Sequence, residues 1–456
     1  MKIHKIKSTI LTLGDLAIFY LSLIVTLLFR YDFAEFKDWW GLHLFPFSAL
    51  FALWIIIFVI FGLYDAVSFS ARQKIRDRII NAMLSATAIS IAIFYIWPQA
   101  VITPKTNLLI VVTFSTLLLM LWRKIYEIAI ASSYKTRLIF FGWSKETQEL
   151  SNILGNNPHL GYEPVAVILP AASETILDIN LPVFILDHNL PALLHEKGIN
   201  LVVAYLDIQT NMDFTKMLYE VLPLGITYLN FPQFYEWITG KIPVSIISEI
   251  WFLENLAENE KRIFEIGKRT FDIVAGAILC FLAVLILPLA AMAIKTGSSG
   301  PIFFRQKRVG KNGEIFELIK FRSKVHDGQD ANSGWNKDGD ESRTTAVGRI
   351  LRKTYLDELP QAFNIIKGEM SLIGPRPERP EFVEGLKKEI PHYMMRLLAR
   401  PGITGWAQIK MQYDASAKDA WEKLQYDLYY IKNRSTALDM SIALKTLFAM
   451  ISRPGK

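Results

Sequence analysis

Downstream of Leu351 the chain places two adjacent carboxylates, a glycine turn and a proline-framed arginine within one short span. The order is Leu356-Asp357-Glu358-Leu359-Pro360-Gln361, then Asn364, then Gly368-Glu369-Met370-Ser371-Leu372-Ile373-Gly374-Pro375-Arg376-Pro377. Carboxylates beside a guanidinium can handle a phosphate together with a divalent cation. Aspartate is a known type of nucleophile in covalent phosphoryl transfer, and magnesium favours carboxylate and phosphate oxygens. Adjacent side chains on a helix point about 100° apart. Asp357 and Glu358 would therefore divide two tasks rather than share one proton. A plainer reading makes them helix N-terminal acids favoured by the helix dipole, and the pair alone does not separate the two. Gly374-Pro375-Arg376-Pro377 is more specific. Two prolines stiffen the backbone so that Arg376 projects from a rigid turn, and arginine suits bidentate phosphate recognition. Arg400-Pro401-Gly402-Ile403-Thr404-Gly405-Trp406-Ala407-Gln408 repeats the device. Turn chemistry alone remains the alternative for both.

Basic segments lead into this span. Gly300-Pro301-Ile302-Phe303-Phe304-Arg305-Gln306-Lys307-Arg308-Val309-Gly310 mixes cations, aromatic rings and glycine turns, and Lys320-Phe321-Arg322-Ser323 repeats the theme. Gly348-Arg349-Ile350-Leu351-Arg352-Lys353 runs directly into the acidic pair. Arg308, Lys320, Arg322 and Arg352 are thus candidates for phosphates or anionic head groups, against the alternative of a hairpin with solvated cations. Residues 327–342 are rich in Gly, Asp, Asn and Ser and read as a mobile loop able to act as a lid. The acidic patch Asp338-Gly339-Asp340-Glu341 within them receives no role.

The elements that must carry these residues begin at a membrane. Of 456 residues, 52% are hydrophobic, and the mean hydropathy is +0.26. That is too apolar for an ordinary soluble chain of this length. Apolar runs at residues 10–29, 44–63, 79–97 and 107–122 each approach the roughly 20 residues a helix needs to span the hydrocarbon core. Lys2, Lys5, Lys7, Arg72, Lys74, Arg76, Arg78, Arg123, Lys124, Lys135 and Arg137 all flank one side of these runs. By the positive-inside rule the N-terminus and everything after Trp122 are cytoplasmic. Trp39, Trp40 and Trp97 suit interfacial positions. The net charge of +7 fits an anionic leaflet, and nucleic-acid motifs are absent. A lone Cys280 in an apolar run excludes intrachain disulfides and a Cys-based zinc site.

A fifth run, residues 273–294, is interrupted by Pro288. A full crossing would put Asp357 outside the cell. The expectation is a re-entrant helix over 272–295, broken at the proline; a plain fifth crossing with a tolerated proline is the alternative. Between residues 136 and 256, apolar strand-like runs alternate with helical patterns, which predicts a small α/β doubly wound, Rossmann-like parallel sheet. Gly142-Trp143-Ser144-Lys145-Glu146 follows the first strand in place of Gly-x-Gly-x-x-Gly, and no Tyr-x-x-x-Lys occurs. Both disfavour a nucleotide-sugar oxidoreductase and leave a regulatory or assembly module.

From Lys268 to the C-terminus the chain resembles the bacterial sugar transferase family, the polyprenyl-phosphate glycosyl-1-phosphate transferases. The resemblance rests on Lys268-Arg269-x-Phe271-Asp272, Pro288, Gly300-Pro301, Gln306-x-Arg308-x-Gly310, Lys320-Phe321-Arg322-Ser323, the Asp357-Glu358 segment and the two proline-framed arginines. Leu287 stands where the family commonly has serine, and Ser323-Lys324 where it often has Ser-Met. The leading helices and the alternating middle resemble the family's long form. The resemblance implies a multidomain membrane protein: a four-helix transmembrane region (1–130), a cytoplasmic Rossmann-like domain (136–256), and an α-rich monotopic catalytic domain (260–456) with the proline-broken re-entrant helix. It implies transfer of a sugar-1-phosphate from a UDP-sugar to polyprenyl (undecaprenyl) phosphate at the cytoplasmic face of the inner membrane, with UMP released and glycan assembly initiated. Asp357 would be the nucleophile, Glu358 a Mg²⁺ ligand, and Arg376 and Arg400 phosphate or nucleotide contacts. Glucose or galactose is the expected type of sugar. A homodimer through the membrane helices or middle domain is a further expectation. An inactive membrane-anchored scaffold or nucleotide-sugar sensor is the alternative from another class.

Overall fold

The structure, a computed structural model, describes residues 2–64, 75–96, 104–126, 135–169, 179–186, 190–205, 212–221, 223, 225–256, 261–325, 343–411 and 417–452. The expected lid at 327–342 with its acidic patch, and Arg72, Lys74 and Trp97, lie outside the described residues. The chain divides into two compact units, Met1–Gly240 and Lys241–Lys456.

The first unit opens with α1 (Lys2–Arg30), α2 (Phe36–Ile60), α3 (Ile75–Ile96) and α4 (Pro104–Tyr126). Helix α1 packs on α2 and α4, and α3 packs on the same two. Their shared face buries Phe19, Phe47, Phe51, Trp54 and Phe58. The Phe19 ring meets Trp54 edge-on at 5.1 Å and lies stacked against Phe51 at 5.4 Å. Leu13, Leu21, Leu28, Leu109, Leu117 and Leu121 stay exposed, as expected of helices whose solvent is lipid. In lipid, helix association rests on close packing and polar contacts more than on the hydrophobic effect. Both occur here. A Cβ on Gly14 would fall 2.3 Å from the Trp122 ring, so only glycine lets α1 approach α4 at that point. Asp15 and Arg123 form a buried ion pair at 2.5 Å, and the Tyr64 hydroxyl donates to Asp15 at 2.8 Å.

The same unit continues as an alternating α/β fold: β1 (Thr136–Phe141), α5 (Lys145–Asn156), β2 (Tyr162–Leu169), β3 (Val183–Ile185), α6 (Leu190–Glu196), β4 (Leu201–Ala204), α7 (Met212–Val221), β5 (Thr227–Asn230) and α8 (Phe231–Thr239). All strands are parallel, in the order β3-β2-β1-β4-β5. This is the doubly wound arrangement expected. Strands β1 and β4 are covered on both faces and therefore read as unbroken apolar runs, whereas edge strands β3 and β5 are largely exposed. Ser144 caps α5 by accepting from the Thr147 amide at 3.1 Å.

The second unit begins earlier than the sequence reading placed it. Ile242, Val244, Ile247, Phe252 and Leu256, read above as the tail of the middle domain, are buried in the core of the C-terminal unit with Trp406, Leu424 and Ile431. Apolar content showed that this segment is buried but not against what.

Helix α9 (Glu249–Asn255) precedes α10 (Arg262–Gly297), which contains Pro288. At 1.5 Å per residue α10 would extend about 54 Å if straight. It is one of five helices in the described residues that are long and apolar enough to cross a membrane. No loop separates two helices at Pro288; the span is continuous. A proline costs one backbone donor and crowds the preceding turn, and strongly apolar flanks can carry a helix through that loss. Most of α10 faces outward, with Phe281, Leu285, Leu289 and Met292 exposed.

The inner face of α10 is keyed to the rest of the unit. Arg269 donates to the carbonyls of Ile365 and Ile366, both at 2.7 Å. Asp272 accepts from the Ser371 hydroxyl and the Leu372 amide, both at 3.0 Å. Lys268 pairs with Asp439 at 2.7 Å. Strands β6 (Phe303–Val309) and β7 (Ile315–Phe321) form an antiparallel hairpin. Strands β8 (Ser371–Ile373) and β9 (Gly402–Thr404) pair in parallel and bring the two proline-framed loops side by side.

That pairing depends on glycine. A Cβ on Gly402 would lie 2.1 Å from the Gly374 nitrogen, and one on Gly374 would lie 2.2 Å from the Arg400 carbonyl oxygen. Gly402→Ala therefore has no flexible side chain to push aside. It is expected to cost at least about 2 kcal/mol, seen as a lower thermal midpoint of the detergent-purified protein. An unchanged midpoint would refute this reading of the loop pair.

Candidate active site

Asp357 and Glu358 lie in a single 3-10 turn, Leu356–Glu358, entered through Tyr355 in the left-handed region at φ 56°. The turn leads through Leu359 and Pro360, both in right-handed helical conformation, toward the next helix. The next helix, Gln361–Lys367, follows two residues later. A bulky residue at positive φ is uncommon and strained, and here it sits next to the acidic pair. Leu356 and Leu359 flank the pair and pack against Ala290, Ile294, Phe321 and Leu351. Ile286 and Leu287 of α10 join the same cluster. The part of α10 around Pro288 thus packs beside the carboxylates.

The two carboxylates have different environments. Burial pushes Asp357 up from 3.8 to about 6, with Lys320 and Arg352 opposing the shift and the Glu358 charge adding to it. Burial pushes Glu358 the same way, but Lys320 and Arg376 outweigh it and hold the carboxylate below its ordinary range. The Lys320 ammonium, from β7, lies 2.5 Å from Glu358 Oε1, and an Arg376 guanidinium nitrogen lies 3.8 Å from the same oxygen. The Glu358 carboxyl is therefore held ionised, while the Asp357 carboxyl titrates closer to neutral pH.

Arg308, Lys320, Gln361, Arg376 and Pro377 line one small pocket at this point. Arg308, on β6, donates to the Pro377 carbonyl at 2.9 Å and to the Gln306 side chain at 2.6 Å. Burial pushes Arg308 down to about 10. Arg352 donates to the Thr344 hydroxyl at 3.2 Å and reaches Asp357 through its charge. Two candidates stand apart. Arg322 is buried, donating to the carbonyls of Ser298 and Ser299, so it ties the end of β7 to the end of α10. Arg400 is half-buried on the neighbouring loop and is not among the residues lining the pocket.

Gln361 belongs to the pocket although the sequence reading assigned it no role. Its position directly after the Leu-Pro step of the acidic motif was the available signal. Among the described residues no three His, Cys, Asp or Glu side chains converge on one point. Magnesium does not require that, since it commonly takes one or two carboxylates and completes its shell with phosphate oxygens and water. The Asp357-Glu358 pair, with Lys320 and Arg376 close to Glu358, fits such a shared ion.

The profile described as Bacterial sugar transferase matches residues 263–453. The UDP-glucose:undecaprenyl-phosphate glucose-1-phosphate transferase of Caulobacter vibrioides is 37% identical over 190 residues, covering 41% of this chain and 71% of that protein. The chain belongs to the bacterial sugar transferase family. A UDP-N-acetylgalactosamine-undecaprenyl-phosphate N-acetylgalactosaminephosphotransferase of Aeromonas hydrophila is 41% identical over 226 residues, 48% of this chain and 51% of that protein. The UDP-glucose:undecaprenyl-phosphate glucose-1-phosphate transferase of Escherichia coli K12 is 39% identical over 184 residues, 40% of this chain and 39% of that one. The chain thus matches about half of the Aeromonas relative and less of the Escherichia one. Asp357, Glu358 and every residue lining the pocket of Arg308, Lys320 and Arg376 lie inside the family match.

Proposed function

We propose that this family member transfers a sugar-1-phosphate from a UDP-sugar to polyprenyl phosphate at the cytoplasmic face of the inner membrane, releasing UMP and starting a glycan on a lipid carrier. The observation that carries the reading is the placement of Asp357. It is a buried carboxylate poised near neutrality, beside an ionised Glu358 and a pocket lined by Arg308, Lys320 and Arg376.

A carboxylate oxygen of Asp357 attacks the phosphorus that bears the sugar. The bond from that phosphorus to the UMP oxygen breaks, and its electron pair leaves with UMP. An oxygen of polyprenyl phosphate then attacks the same phosphorus, and the Asp357 carboxylate leaves. Phosphoryl transfer asks the protein mainly for positioning and for neutralisation of charge on phosphate oxygens. Lys320 and Arg376 supply that neutralisation, with Arg308 on the pocket wall. Mg²⁺, held by Glu358 with substrate phosphates, would add charge neutralisation when bound. Two anionic substrates are handled in turn, so the pocket never holds both. A re-entrant course of α10, bent at Pro288, would keep this site at the cytoplasmic surface, where a water-soluble donor and a lipid acceptor meet. Ile286 and Leu287 pack on the same apolar cluster as Leu356 and Leu359, which supports that placement. The reported relatives' names differ in the sugar, glucose or N-acetylgalactosamine, so these and the expected galactose are all donors to test.

Turnover requires ionised Asp357, whose carboxyl sits near 6. On the acid side kcat/KM, which reports the free enzyme, is expected to fall tenfold per pH unit below about pH 6 and to level off above it. A flat profile down to pH 5 would remove Asp357 from the chemical step. The reading as a whole is tested by UMP release from a panel of UDP-sugars with membranes, polyprenyl phosphate and Mg²⁺. One donor is expected to give UMP and a lipid-linked sugar in equal amounts. No release with any of them would overturn the proposal.

A further inference from the structure

The segment that presents Arg376 is held at four consecutive carbonyls by three parts of the fold: β9, the end of β6 and the Tyr393–Leu398 segment. Pro375 accepts from the Gly402 amide at 2.9 Å, and Glu378 from the Val309 amide at 2.9 Å. Pro377 accepts from Arg308 at 2.9 Å. The Arg376 carbonyl itself accepts from the Arg396 guanidinium at 3.0 Å. Loop carbonyls ordinarily face water, so this is an unusual degree of fixation for a turn.

Arg396 is the least expected of the four partners. It lies in the apolar 3-10 segment Tyr393–Leu398 and is 2% exposed. Its other contacts leave the guanidinium one available orientation. Nε and Nη2 donate to Asp427 at 3.0 and 2.7 Å, and Nη1 donates to the Tyr393 hydroxyl at 2.8 Å. Asp427 is 1% exposed. Glu378 and Lys423, paired at 2.5 Å, complete a buried cluster of two cations and two anions. Arg396 lies 3.8 Å from Glu378. Burying charges is costly, and replacing such clusters by apolar residues is often neutral or stabilising. Stability alone is therefore a weak reason for this one, whereas a fixed guanidinium aimed at the Arg376 carbonyl gives it a task.

We propose that Arg396 and Asp427 are positioning residues for the transfer reaction: Asp427 orients Arg396, and Arg396 fixes the backbone of Arg376 so that its side chain meets the donor phosphates. The proposal rests on the functional reading above. Neither residue lines the pocket that holds Lys320 and Arg376; Arg396 lines a second small pocket with Arg376, and its donors go to Asp427, Tyr393 and the Arg376 carbonyl, so it acts through Arg376. A displacement of about 1 Å in a positioning group is enough to cost on the order of a hundredfold in rate. The bland competitor is a structural cluster that supports the fold and nothing more.

A double-mutant cycle separates the two. Asp427→Asn keeps the shape and removes the charge, and Tyr393→Phe removes a single acceptor from Arg396 if Asp427→Asn fails to fold. Each is measured alone and combined with Arg376→Ala, as kcat/KM for UMP release. In the native background the expected loss is roughly tenfold, and with Arg376 already gone it is less than about twofold. Equal losses in both backgrounds would overturn the positioning role and leave the structural one. A second readout does not depend on turnover. Hydrogen exchange of the Val309 and Gly402 amides, which donate to the Glu378 and Pro375 carbonyls, is expected to accelerate in both variants while the rest of the β6–β7 hairpin stays protected. Unchanged exchange there would also overturn the proposal. Wild-type protein that releases no UMP would sink the functional reading, and the exchange result would then decide the positioning claim.

Discussion

Asp357→Asn is expected to lower UMP release at least about a thousandfold, as removal of a nucleophile does in other covalent enzymes, without weakening the fold. The second half of that expectation follows from the sign of the Asp357 shift. Its folded value, about 6, lies above the ordinary 3.8. Between about pH 4 and 6 the folded protein therefore holds a proton that the unfolded chain has released, and stability falls as pH rises through that window. At pH 7 the ionised side chain is a cost, because burial outweighs the help of Lys320. Asparagine removes the charge and keeps the shape. The variant should show an equal or higher thermal midpoint at pH 7 together with lost activity. A lower midpoint, or retained turnover, would each contradict this account.

Lys320→Met should damage both activity and fold. Lys320 is the strongest of the partners that keep Glu358 ionised against burial, ahead of Arg376. Breaking a buried pair by removing one member leaves the other charged and unpaired, at a cost of about 3 kcal/mol. In the wild type the Glu358 contribution is present above its ordinary pKa and is lost as pH falls through its lower folded value. In the variant the sign reverses. Glu358, now governed by burial, should rise above its ordinary value, so the lost stability should return as pH is lowered and the carboxyl takes a proton. Catalytic efficiency should fall about a hundredfold, the scale of losing one preorganised charge on a developing anion. Adding Glu358→Gln to Lys320→Met should restore the thermal midpoint at pH 7 and leave activity low. A midpoint unaffected by Lys320→Met would show that the pair is solvated and not a fixed part of the site.

What was legible in the sequence was local. The acidic pair, the two proline-framed arginines and the basic hairpin are short motifs whose turn chemistry reports itself, and the structure brings Lys320, Arg376 and Arg308 to one pocket beside Asp357-Glu358. The alternation that predicted a parallel sheet worked because β1 and β4 are buried on both faces. Less legible was anything set by partners distant in the chain. Arg322 reads as a phosphate ligand from its neighbours, but its geometry is decided by the carbonyls of Ser298 and Ser299 just past α10, separated from it in sequence by the whole hairpin. Pro288 signalled a break, while the helix around it runs on from Arg262 to Gly297. Residues 242–256 looked like the end of one domain because burial patterns do not name their partner. The Arg396–Asp427 pair spans 31 positions, and its only trace in sequence is a single arginine inside an apolar stretch.

The central claim is the covalent step at Asp357, and trapping it is the most direct test. The detergent-purified protein would be mixed with a UDP-sugar and Mg²⁺ in the absence of polyprenyl phosphate, quenched in acid and digested. The peptide containing Asp357 would then be weighed by mass spectrometry. The account predicts one sugar-phosphate added to that peptide, one equivalent of UMP released in a burst, and discharge of the adduct when polyprenyl phosphate is supplied. UMP formation that requires the lipid acceptor from the start, with no adduct at Asp357, would contradict it and point to direct transfer between the two substrates.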